Sequence, residues 1–284
     1  MTYGGAVPSL TPSYSGYVNG TVAVTVPPSC TPGVTSTTPA GPYPTASSCS
    51  GGTAPANYVF SYVTGLVTVG PATLTVKPSP NPATMTYGGA VPSLTPGYSG
   101  FVNGTVTVTG APSCTPGVTS TTPAGTHTGV SSCSGGTAPT NYAFAYAPGS
   151  VIISQASQTI SFTLPAGVNY GVAPIALPAN ASSGLPITYI VVSGPASITG
   201  TSSAPTLTIS GAGTIKVTGS QGGNSNYLPA TSVSQATVVT AVPLATVSPT
   251  SYNFGNAIYL GSILTKSFTI TNTGDCLLYT SRCV

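Results

Sequence analysis

The chain has 284 residues and a net charge of +3, and its charged side chains are only Lys77, Lys216, Lys266, Arg282 and Asp275. These are scattered, with no basic stripe to neutralise phosphates and no Lys/Arg cluster for anionic lipid, which argues against nucleic acid as a partner and against electrostatic membrane attachment. No apolar run approaches the ~20 residues of a membrane helix, so membrane insertion within the chain is not expected either.

Glycine (35) and proline (29) supply turns throughout, while a hydrophobic share of 40% with 16 Tyr and 6 Phe supplies core material that a disordered chain lacks. Val and Thr, which suit a pleated, half-buried surface, dominate the remainder. The length allows two to four small domains. Together these predict an all-β chain of small domains.

The first unit, 1–70, opens on Met1-Thr2-Tyr3-Gly4-Gly5-Ala6-Val7-Pro8. Tyr14 and Tyr17 flank a Ser-Gly turn, and Asn19-Gly20 is a hairpin signal. In Thr21–Val26 the alternation predicts a strand with Val22 and Val24 facing inward. Cys30 and Cys49 follow, 19 residues apart, around Thr-Pro-Gly and Pro-Ala-Gly segments. Tyr58, Phe60 and Tyr62 then alternate with Val59, Ser61 and Val63, the period of a strand.

The second unit, 71–154, begins with Pro71–Val76, which reads as a first strand, and then repeats the first unit. Met85-Thr86-Tyr87-Gly88-Gly89-Ala90-Val91-Pro92 lies 84 residues after its counterpart, and the register holds without a gap to about Gly65 and Gly149. Such fixed-period similarity marks an array of like units. Tyr98 and Phe101 flank the equivalent Ser-Gly turn, Asn103-Gly104 the equivalent hairpin, and Cys114 and Cys133 the equivalent loop. Tyr142, Phe144 and Tyr146 keep the aromatic positions, whereas Val59, Ser61 and Val63 become Ala143, Ala145 and Ala147. Alternate strand residues point to opposite faces, so the retained aromatic set is assigned to the core. By the same logic Val106 and Val108 should face in. No counterpart of Pro71–Val76 stands before Met1, which aligns with the internal Met85, so Met1 is not expected to be the native start.

A third unit, 155–240, is divergent. Asn169-Tyr170-Gly171 and Asn226-Tyr227 mark it, with 57 residues between the two tyrosines against 55 in the first two units. Strands are predicted at Gln158–Leu164, Ile187–Val192, Thr206–Ser210, Thr214–Thr218 and Ser232–Val239. A fourth, 241–275, shows two strand patterns, around Ser248–Gly255 and Thr265–Gly274. Residues 276–284 share neither composition nor rhythm with the rest and read as a non-native tail.

One cysteine pair in each of the first two units, without further Cys nearby, suggests the intradomain disulfides Cys30–Cys49 and Cys114–Cys133 and an oxidising compartment; the third unit has no cysteine. Reduced, buried thiols are the alternative. Four zinc ligands are not supplied.

With Tyr-Gly-Gly-Ala-Val-Pro-Ser-Leu-Thr-Pro, Ser-Gly-Tyr-Val-Asn-Gly, the Cys pair and Asn-Tyr-x-Phe, the first two units resemble MBG-type repeats of the Tyr-Gly-X kind. The third resembles a related bacterial Ig-like repeat. The fourth is similar to the start of an ASPM–SPD-2–Hydin domain, through Ser-Pro-x-Ser-x-x-Phe-Gly and Phe-Thr-Ile-Thr-Asn-Thr-Gly. The resemblance implies an all-β fold of tandem immunoglobulin-like β-sandwich domains, a location outside the cell or on its surface and a repetitive, non-catalytic role, with no ligand-binding residues to carry over.

Catalytic chemistry has little to work with. The one side-chain carboxylate, Asp275, cannot form a glycosidase pair, a carboxylate calcium cage or a Ser-His-Asp triad. The one imidazole, His127, replaces Tyr43 of the first unit in a Pro/Gly-rich loop and reads as solvated. No cofactor, metal or catalytic residue is predicted, and the chain is not expected to be an enzyme. Asn19-Gly20-Thr21, Asn103-Gly104-Thr105 and Asn180-Ala181-Ser182 fit a glycosylation pattern, though a turn explains the first two. Tyr14, Tyr17, Tyr98 and Phe101 are the candidate ligand contacts, with packing at a strand end as the plainer reading. The expected function is a spacer or adhesion segment whose partners are neighbouring Ig-like modules and an extracellular protein or glycan. The alternative is an accessory carbohydrate-binding region of a secreted enzyme.

Overall fold

The computed structural model describes residues 1–242, 245–253 and 265–272, so the expected tail and the last two residues of each of the fourth unit's two patterns lie outside the described residues. The described residues form strands, turns and loops without a helix, hence without one that could cross a membrane. The chain divides into two compact units, Met1–Ser154 and Gln155–Val284.

The first unit runs β1 (Ser29–Thr31), β2 (Gly41–Ser50), β3 (Gly65–Val69), β4 (Ala72–Ser79), β5 (Ala83–Thr86), β6 (Thr95–Ser99), β7 (Ser113–Thr115), β8 (Gly125–Ser134), β9 (Tyr142–Tyr146) and β10 (Gly149–Ser154). In the first repeat the sheet order is β1-β2-β3, and in the second it is β7-β8-β10-β5. The parallel pairing of β5 with β10 ends at Thr86 and Ser154; the first repeat keeps only the equivalent parallel bridge, Thr2 to Gly70.

A further sheet belongs to the second repeat alone, in the order β6-β4-β9. The central strand β4 runs antiparallel to β6 and parallel to β9, with Leu74 opposite Phe144 and Val76 opposite both Tyr98 and Tyr146. Its sequence alternates cleanly: Ala72, Leu74, Val76 and Pro78 are buried while Thr73, Lys77 and Ser79 are exposed. The prolines at 78, 80 and 82 carry no N–H, so the ladder cannot continue, and the chain crosses to the other sheet at β5. Asn81 fastens that crossing by accepting the Ser150 N–H on its Oδ1 at 2.9 Å.

The expected inward aromatic row is therefore realised unequally. Tyr142 is buried with Ala72 and Leu74 in one core cluster, and Tyr98, Phe101 and Phe144 pack against it. In the first repeat no strand lies between residues 11–15 and 58–62, and neither segment is itself a strand. Tyr58 and Phe60 are half-buried, and Tyr62 is 45% exposed, close to Tyr146 at 44%. The alternation is right, since Val59 is 93% exposed, but the enclosure depends on β4.

Two other expected strands need correction. Residues 21–26 and 105–110 are not strands, and Val22 and Val106 are exposed, leaving only Val24 and Val108 half-buried. The turns before them do form, with φ of 62° at Asn19 and 93° at Gly20. The backbone there is held by a side chain in place of a ladder: the Tyr58 hydroxyl donates to the Val18 carbonyl at 2.8 Å and accepts the Val18 N–H at 3.1 Å. Tyr142 holds Val102 in the same way, at 2.6 and 3.0 Å. In the second unit, Gln158, Ile160 and Phe162 are buried alternately as a strand's would be, but the segment 158–164 joins no sheet.

The two repeats share contacts within the first unit. Tyr3 stands edge-on to Tyr142 with ring centroids 5.7 Å apart, the Ala40 N–H donates to Asn141 Oδ1 at 2.8 Å, and Asn103 Nδ2 donates to the Ser36 carbonyl at 3.3 Å.

The second unit runs β11 (Gly167–Asn169), β12 (Ile175–Ala176), β13 (Thr188–Ser193), β14 (Ala196–Thr201), β15 (Ala204–Ile209), β16 (Gly213–Ser220) and β17 (Val233–Thr240). Sheets β11-β17-β16-β13 and β12-β15-β14 contribute to one core that includes Leu207, Ile215, Val217, Val239 and the edge-on pair Phe162–Tyr189. Buried Gln158 donates from Nε2 to the Leu228 carbonyl at 2.8 Å, which satisfies a polar group inside that core. Beyond it, β18 (Ala245–Ser248) and β19 (Thr269–Asn272) pair antiparallel.

Candidate functional site

The aromatic residues singled out in the sequence lie on two equivalent surfaces with different surroundings. In the second repeat, Tyr98 stacks on Phe144 at 6.1 Å and Phe101 meets Tyr142 edge-on at 5.8 Å, beside β4. In the first, Tyr14 stacks on Phe60 at 5.8 Å and Tyr17 meets Tyr58 edge-on at 6.0 Å. There the same rings line an open groove of about 440 Å³, with Pro12 on one wall and Cys49 and Pro28 among the lining residues. A volume of this size is within the range of built binding sites. Sequence reasoning found Tyr14 and Tyr17 through their turn; it missed the groove, because the two repeats read alike at these positions.

Chemically the groove offers aromatic faces, phenol hydroxyls and prolines. Burial pushes the Tyr14 hydroxyl above the ordinary phenol range, with Tyr17 and Tyr62 nearby adding to the shift, and Tyr98 moves the same way for the same first reason. Both hydroxyl oxygens are shielded from solvent without a hydrogen-bond partner among the described residues. Neutral phenols in an uncharged groove can stack and donate; they cannot serve as bases near neutral pH.

The cysteines sit directly opposite each other across antiparallel pairs, Cys30 with Cys49 on β1 and β2, and Cys114 with Cys133 on β7 and β8. Both pairs are disulfides, so the reduced-thiol alternative does not describe this structure. Inside each loop the same contacts recur: the Thr35 N–H donates to Thr38 Oγ1 at 2.8 Å, and the Thr119 N–H to Thr122 Oγ1 at 2.9 Å. His127 takes over the role of Tyr43. The Tyr43 hydroxyl donates to the Pro39 carbonyl, and His127 Nε2 donates to the Pro123 carbonyl, both at 2.9 Å. Among the described residues no group of three His, Cys, Asp or Glu could hold a metal.

Duplicated disulfides, hydroxyl clamps and threonine turns, 84 residues apart, define one repeated domain type. A search of known families matches the MBG domain (YGX type) at residues 1–68 and again at 74–151, just over half of the chain. The chain belongs to this family. No curated protein and no solved structure matches it. Both matches fall within the first compact unit, so these MBG repeats contain both disulfides and the aromatic groove.

Proposed function

We propose that the chain is a non-catalytic structural and adhesion segment of a larger secreted or cell-surface bacterial protein, acting as a spacer or interaction array. The observation that carries the reading is what the two MBG repeats have in common. Their shared features are fold-keeping ones: the disulfide, the Tyr58 and Tyr142 clamps, and the ring-to-carbonyl contact that survives exchange of Tyr43 for His127. Disulfides persist in oxidising compartments, which supports a place outside the cell. Within this reading the repeats occupy 1–70 and 71–154, a divergent Ig-like repeat occupies 155–240, and an ASPM–SPD-2–Hydin-like domain begins at 241.

A spacer must bear load, and each disulfide shortens the stretch that force can extend. Pulling single molecules should give discrete unfolding steps. Reduction should lengthen the first two by roughly 60–70 Å each, the span of the 19-residue loop at full extension. Featureless extension, or steps unchanged by reduction, would count against the proposal. The open aromatic groove favours one second reading, an accessory carbohydrate-binding region. Glycan-array binding abolished by Tyr14→Ala would establish it, and an array without signal would dismiss it.

A further inference from the structure

The connection between the two MBG repeats has no slack. β3 ends at Val69, in the core of the first repeat, and β4 begins at Ala72, in the core of the second. Gly70 is tied to the first repeat through both backbone groups: its N–H donates to the Met1 carbonyl and its carbonyl accepts the Tyr3 N–H, each at 2.8 Å. The Ala72 N–H is tied to the second, donating to the Asn141 carbonyl at 2.8 Å. Only Pro71 stands between them, and its ring fixes φ.

Neighbouring domains move relative to one another unless an interface holds them. Here the interface is made from the Tyr-Gly motif. Tyr3 packs against the cores of both repeats, its ring edge-on to Tyr142. Gly4 turns beside it with φ of 75°, so close to the second repeat that an added Cβ would stand 2.6 Å from Val102 Cβ. The Ser36 carbonyl accepts the Gly4 N–H at 2.8 Å and Asn103 Nδ2 at 3.3 Å, so one oxygen joins both repeats. Asn141, left-handed at φ 73°, holds Ala72 with its carbonyl and the Ala40 N–H of the first repeat with Oδ1. The second repeat builds the same corner from its own contacts, with the Tyr87 N–H donating to the Ser154 carbonyl and the Gly88 N–H to the Ser120 carbonyl, each at 2.9 Å. We propose that the Tyr3-Gly4 corner is a docking surface for the MBG repeat that follows it, and that its contacts with Val102, Asn103, Asn141 and Tyr142 lock the two repeats at one angle as a single rigid body. A spacer gains bending stiffness from such a joint, and that use rests on the spacer reading; the lock itself does not.

The test measures residual dipolar couplings of backbone amides in the weakly aligned full chain, fitted separately for residues 1–70 and 71–154. The unaltered chain should give both repeats one alignment tensor. Gly4→Ala should split the tensors, because its Cβ displaces Val102. Gly88→Ala is the matched control: φ is 74° there, an added Cβ meets nothing within 4 Å among the described residues, and one tensor should remain. Asn141→Gly keeps the left-handed turn and removes the side chain that holds Ala40. It should likewise split the tensors and speed exchange of the Ala40 amide about tenfold. Asn57→Gly, at the equivalent exposed turn with φ of 70°, should do neither. If Gly4→Ala unfolds the first repeat, the asparagine pair decides. Two tensors in the unaltered chain, or equal effects within the deciding pair, would overturn the lock. Either result would leave the spacer reading standing, since the unfolding steps under force test that separately.

Discussion

Leu74 is the side chain on which the second repeat's β6-β4-β9 sheet most depends. It is fully buried and lies on a strand held along both edges, so the backbone cannot slide to refill its place. Replacement by alanine removes about three carbons, a transfer loss of about 2.4 kcal/mol. A residual void of roughly 70 Å³ at about 24 cal/mol per Å³ adds about 1.7 kcal/mol, for a total of about 4 kcal/mol. The matched control is Leu66→Ala, on a strand of the other repeat but 63% exposed, which should cost under about 0.5 kcal/mol. Urea unfolding followed by tyrosine near-ultraviolet dichroism gives the stability of each variant. Exchange of the Ala147 amide, which donates to the Val76 carbonyl at 2.9 Å, reports the β4–β9 edge locally. A Leu74→Ala cost below about 1 kcal/mol, or one equal to the control, would refute the assignment of Leu74 to an enclosed core.

Gly33→Ala and Gly117→Ala should each cost at least about 2 kcal/mol in thermal unfolding, since both glycines have left-handed φ (62° and 67°) and an added Cβ would run into the carbonyls of Ala46 and Val130. Replacing Cys114 and Cys133 together by alanine should lose about 3 kcal/mol by urea titration, the chain-entropy worth of a loop of about 20 residues. His127→Tyr should change stability by less than about 0.5 kcal/mol, because Tyr43 makes the same carbonyl contact in the sister repeat. Burial raises the Tyr189 hydroxyl above its ordinary 10.0. The protonated form is thus favoured by folding, so its contribution is constant below pH 10 and is lost as pH rises through the folded value; Tyr189→Phe should flatten that alkaline fall in a melting series.

Much of the fold was legible in the sequence because its signals are local or repeated. The 84-residue period, the paired cysteines and the alternation of Ala72, Leu74 and Val76 needed no structure to be read. What escaped was membership of a sheet, which depends on a distant partner. Gln158, Ile160 and Phe162 alternate in burial without joining a ladder, and Val18, ahead of the Asn19-Gly20 turn, is held by a tyrosine 40 residues away. The candidate site shows the same limit. Tyr14 and Tyr98 have nearly the same neighbours in sequence, and only β4 makes one surface a core and leaves the other a groove.

The account turns on β4 as the element that closes the aromatic layer, and amide exchange on the chain alone tests it most directly. Ala147, bonded to Val76, should exchange at least a hundredfold more slowly than Val63, its equivalent 84 residues earlier, which is 85% exposed and has no strand beside it among the described residues. Equal protection at the two positions would contradict it.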